Sequence, residues 1–113
     1  MAYTLDLKME KLLHSLQELL IFRRKFINIV VDVDSPELAI LNDAIGDLAQ
    51  GVAMNVSHER PEEFSRKILN CRFTFEVAKV FKEDGLTLYL SPPYFSQSDL
   101  NEITNKSFRG GVK

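Results

Sequence analysis

The residues best suited to chemistry are Asp32 and Asp34, two carboxylates one residue apart at the end of the apolar run Ile29-Val30-Val31. An Asp-x-Asp pair after a strand invites an enzymatic reading. Its plainer counterpart is two exposed carboxylates, or a pair that caps the following helix. Cys71 is the single cysteine, so it offers neither a disulfide within the chain nor a CxxC metal pair. With His14 or His58 as base it would make a thiol nucleophile, but nothing in the spacing joins them. Flanked by Asn70, Arg72 and Phe73, it reads as an inert, partly buried residue. The same three residues make no zinc spacing, and no GxGxxG or Walker-type loop is present.

Charge is distributed unevenly. Between Phe26 and Glu59 there is no Lys or Arg, whereas Asp32, Asp34, Glu37, Asp43, Asp47 and Glu59 all fall inside. The basic residues Arg23-Arg24-Lys25 and Arg60 bracket the stretch. An acidic helix face that also carries Ile40 and Met54 is suited to docking on a basic protein surface: charge steers the encounter and the apolar residues supply affinity. A solvated acidic face is the plain alternative. Arg23-Arg24-Lys25 is expected to complement the dipole at the end of the first helix, with Arg66, Lys67 and Arg72 extending it if the fold brings them near. Ser91-Pro92-Pro93-Tyr94-Phe95-Ser96 holds two adjacent aromatics in a stiff loop. They are either a second anchor for a partner or a lid on the end of the core.

The elements that position these groups follow from periodicity. Leu5, Met9, Leu12, Leu16 and Leu19 predict a helix over residues 5–24. From Phe26 to Asp34 the period changes to two, and β-branched residues predict a strand. Ser35-Pro36-Glu37 opens a helix over about 36–54, with Leu38, Leu41, Ile45, Leu48 and Val52 on one side. Pro61-Glu62-Glu63 opens a third, ending near Asn70. Residues 71–90 read as a β-hairpin turning at Asp84-Gly85, which places Phe73, Phe75, Val77 and Phe81 on the same side as Leu86, Leu88 and Leu90. A short helix over about 98–106 and a flexible tail at 108–113 complete the chain.

Ile29-Val30-Val31-Asp32-Val33-Asp34 resembles the first motif of haloacid dehalogenase-type phosphohydrolases. That resemblance implies Asp32 as nucleophile, Asp34 as general acid/base and magnesium beside them. It covers six residues; Ser35-Pro36 stands where that family has glycine-threonine, and a long helix precedes the motif. Arg109-Gly110-Gly111 resembles the processed tail of ubiquitin-like modifiers, but a long leading helix stands where that fold opens with a hairpin.

At 113 residues, with 45% hydrophobic and 27% charged residues, the chain fits one globular domain with a core that needs no metal or disulfide. A net charge of −2 argues against nucleic acid as partner. No signal peptide or membrane-spanning run is read, so a cytoplasmic protein is expected. The expected fold is α+β, about four helices on a small three-stranded, largely antiparallel sheet spanning residues 1–107. An all-helical bundle with one long helix over 61–84 is the alternative. The expected function is protein binding without catalysis or cofactor, with a basic enzyme such as a nuclease as target in the manner of an inhibitor or immunity protein. The expected contact set is Asp32, Asp34, Glu37, Ile40, Asp43, Asp47 and Met54, with Tyr94 and Phe95 as second anchor. A phosphohydrolase using Asp32 and Asp34, and an adaptor, chaperone or structural subunit, are the alternatives. A homo-oligomer is compatible with all of them.

Overall fold

The structure, a computed structural model, describes the backbone of residues 7–29 and 35–112 and the side chains of residues 7–27 and 35–104. Over that span the chain forms five helices and no strand: α1 (Leu7–Ile29), α2 (Pro36–Asn55), α3 (Pro61–Leu69), α4 (Thr74–Glu83) and α5 (Gln97–Val112). A 3-10 turn at Thr87–Tyr89 lies between α4 and α5. The expected α+β fold is therefore corrected to all-α.

Two segments account for the correction. Phe26–Ile29 belongs to the last turn of α1, so the strand expected there is absent over those residues. Residues 30–34 lie outside the described residues. The expected hairpin at 71–90 is α4 followed by the 3-10 turn, and Asp84-Gly85 ends a helix instead of joining two strands. Gly85 sits at φ 82°, its N–H donates to Lys82 O at 3.3 Å, and the Leu86 N–H donates to Phe81 O at 2.8 Å. This is a Schellman termination, which needs the same left-handed glycine as a two-residue hairpin turn. The all-helical alternative also needs amending. The chain breaks between Leu69 and Thr74, so 61–84 is two helices.

α1 packs along α2, α2 along α3, and α4 packs chiefly on α5 with smaller contacts to α1 and α3. Met9, Leu13, Leu16 and Leu20 of α1 meet Ile45, Ala49 and Val52 of α2 in the core. Phe64 and Ile68 of α3 and Val77, Ala78, Val80 and Phe81 of α4 close it. Ser65 Oγ donates to Gly46 O at 2.9 Å, which brings α3 close against α2.

The start of α2 follows the expected chemistry: Ser35 Oγ accepts the Leu38 N–H at 3.2 Å and Pro36 takes the first helical position. α5 begins one residue before Ser98 and is capped by Ser96, whose Oγ accepts the Asp99 N–H at 3.1 Å. Its backbone stays helical through Val112, where the sequence reading places a tail. The end of α2 is a second Schellman termination, with Ser57 at φ 56° and the His58 N–H donating to Ala53 O at 2.9 Å.

Candidate protein-binding surface

α2 buries Leu38, Ile45, Ala49, Val52 and Ala53 and turns its other side outward. Ile40, Asp43, Asp47 and Met54 recur there at intervals of three, four and seven, which keeps them on one helical face. Ile40 is 67% exposed and Met54 65% exposed, so the face has an apolar anchor near each end. Asp43 and Asp47 lie exposed between them, and Glu37 is exposed in the first turn. None of these three carboxylates has a cation partner among the described residues. Asp32 and Asp34 lie outside the described residues. Phe95 folds into the core, 1% exposed and edge-on to Phe81 at 5.2 Å. Tyr94 is half-buried against Tyr89 at 5.1 Å, and its carbonyl accepts from Gln17 Nε2 at 3.0 Å. The two aromatics therefore close the end of the core and are not brought onto the α2 face.

Among the described residues, Cys71, His14 and His58 each have a partner. Burial pushes the Cys71 thiol up to about 12, and its Sγ donates to Lys67 O at 3.4 Å, so no thiolate forms near neutral pH. His14 is exposed on α1 beside Glu18 at 3.2 Å. His58 uses both ring nitrogens: Nδ1 accepts the Arg60 N–H at 2.9 Å and Nε2 donates to Asp84 Oδ2 at 3.1 Å. No group of three or more His, Cys, Asp or Glu that could hold a metal ion occurs among the described residues.

Asp84 caps α4, and its Oδ1 accepts from Lys67 Nζ at 2.8 Å. Burial works to raise its carboxyl, but the hydrogen bonds from Lys67 and His58 outweigh that and hold it below the ordinary 3.8. A depressed carboxylate contributes stability that is complete above the ordinary value and lost as pH falls through the depressed one. Asp84→Asn is expected to cost about 1 kcal/mol at pH 7. The gap between variant and parent should close as urea unfolding is followed below pH 3.8.

The basic cluster differs from its sequence reading. α1 continues to Ile29, so Arg23-Arg24-Lys25 is not in its last turn. Arg23 points inward: Nη1 donates to Asn42 Oδ1 at 2.8 Å, and Nη2 donates to Leu69 O at 3.1 Å and Cys71 O at 2.7 Å. Burial holds its pKa below the ordinary guanidinium value. Arg24 turns outward over the Phe73 ring at 4.0 Å. Arg72 lines the same cleft as Arg24, whereas Arg66 and Lys67 are not among its walls and Lys67 pairs with Asp84. The triple itself was the only sequence signal for this arrangement.

No helix among the described residues is long and apolar enough to cross a membrane. Compared with protein-family models, with curated proteins and with solved structures, the chain matches none.

Proposed function

We propose that this chain is a non-enzymatic protein-binding protein of the inhibitor or immunity type, whose α2 face docks on the basic surface of a target enzyme such as a nuclease. The reading rests on one observation. Two exposed apolar anchors, Ile40 and Met54, bracket the unpaired Asp43 and Asp47 on a helix that carries no Lys or Arg. Such a face steers a cationic partner at long range and then excludes water at two points of contact. Each carboxylate is free to accept a charge-assisted hydrogen bond from an Arg or Lys of the target.

The test is a low-salt pull-down from the native source with the parent chain and with Asp43→Lys/Asp47→Lys. A stoichiometric basic enzyme, inhibited when bound, should be retained by the parent and released at high salt. The double variant should bind it at least ~100-fold more weakly, since like charges set opposite each other cost several kcal/mol, while circular dichroism stays unchanged. Equal affinity in a folded double variant rejects the assignment of the site.

A further inference from the structure

A cleft away from the acidic face carries the opposite charge. It has a volume of about 830 Å3, runs between α1 and the α3–α4 connection, and has Leu20, Ile27, Leu38 and Leu69 among its walls. A second cleft of about 440 Å3 adjoins it towards the start of α5, with Ile21 and Phe75 on its walls. Leu20, Arg24, Arg72 and Phe73 line both, so the two form one continuous groove.

Three exposed cations, Arg24, Lys25 and Arg72, line this groove, and none of them has a carboxylate partner among the described residues. Asp99 stands at one end and accepts from Thr74 Oγ1 at 2.8 Å. Glu76 is occupied by the backbone N–H groups of Arg72 and Phe73. Arg24 sits over one side of Phe73, and Phe75 stacks with the same ring at 5.4 Å and 16°. A guanidinium held against a ring keeps its N–H donors for another acceptor. Phe73, engaged by both neighbours, is poorly placed to stack a nucleobase, which is how single-stranded nucleic acid uses such aromatics. What suits the groove is carboxylate charge combined with aliphatic or aromatic side chains.

We infer that this groove docks an acidic peptide segment of a partner protein, its carboxylates on Arg24, Lys25 and Arg72 and an apolar side chain against Leu20 and Phe73. Leu20, Arg24, Arg72 and Phe73 line both clefts, so carboxylate and apolar anchor sit side by side in the middle of the groove, with Asp99 at one end. This surface is distinct from the acidic face of α2, and the chain would then carry two docking surfaces of opposite sign.

The test is fluorescence anisotropy at low salt with a labelled ten-residue peptide that alternates Glu with Leu and Phe. Saturable binding is expected, weakened about 100-fold or more by Arg24→Glu/Arg72→Glu, whose exposed positions leave the circular dichroism spectrum intact. Replacing every Glu of the peptide by Lys should abolish binding. Replacing its Leu and Phe by Ala should weaken it at least tenfold. No saturable binding, or equal binding to the folded double variant, overturns the inference. So does tighter binding of a ten-nucleotide single strand, or self-association of the parent that the double variant loses, since the groove would then serve nucleic acid or a second copy.

Discussion

Phe81→Ala should destabilise the protein by about 3–5 kcal/mol, the usual range for truncating a fully buried aromatic. Phe81 has no exposed surface and meets Phe64 at 5.5 Å and Phe95 at 5.2 Å, both edge-on. It thus joins α3 and α4 to the segment before α5. Removing the ring opens a cavity at that junction and breaks two aromatic contacts. Domains of this size have about 5–15 kcal/mol in total, so the variant should unfold at roughly 2 M less urea, if the denaturant slope is about 2 kcal/mol/M. Phe81→Leu, which keeps much of the volume, should lose less than half as much. A loss below about 1 kcal/mol in the alanine variant would show that the three segments do not meet at this ring.

Arg23→Met should cost about 3 kcal/mol although it exchanges a charged residue for an apolar one of similar length. The guanidinium joins α1 to Asn42 of α2, to the carbonyl of Leu69 at the end of α3 and to that of Cys71 just beyond it. Helix C-terminal carbonyls lack partners inside the helix and carry the negative end of the dipole, so a cation placed there answers both needs. Methionine leaves the Leu69 and Cys71 carbonyls without their charged donor, and hydrogen bonds to charged groups are worth about 1.5–3 kcal/mol each. Arg23→Lys should recover part of the loss, because one ammonium cannot span the three acceptors that the planar fork reaches. Urea unfolding measures both variants. Amide exchange at residues 69–72 should quicken more in the methionine variant than exchange elsewhere, and uniform quickening would contradict the bridging role.

The first three helices were legible in the sequence because each shows its buried face at helical spacing and two of them announce their starts. Ser35-Pro36 fixed one start and Pro61 the other, and the helices found are α2 (Pro36–Asn55) and α3 (Pro61–Leu69). In the second half the start of α5 near Ser98 was legible, but α4 was not, for a physical reason. α4 buries Val77, Ala78, Val80 and Phe81 on one face, but Phe75 falls on the opposite one beside Lys79 and Lys82, so over ten residues its stripe is short and interrupted. Alternation in Leu86, Leu88 and Leu90 then imitated a strand, though Leu88 is 86% exposed and Leu86 and Leu90 are half-buried in a turn. Asp84-Gly85 supplied a left-handed glycine that two different structures require. Of the expected contact residues, the α2 set follows directly from helical spacing. Phe95 does not, because its inward turn depends on where Phe81 stands. The groove was hidden because it depends on residues about fifty positions apart in the chain.

The bond between His58 and Asp84 joins the ends of α2 and α4, two helices that do not pack directly on each other. Fraying of either end breaks the same contact, so the two last turns open as one cooperative unit. Met54 lies in that turn of α2, and its carbonyl accepts the Ser57 N–H at 3.2 Å. A partner that grips Met54 therefore steadies the far end of α4 as well. Under the proposed function, occupancy of the acidic face would thus be felt at a helix the partner does not touch, through shared order and without a change of shape.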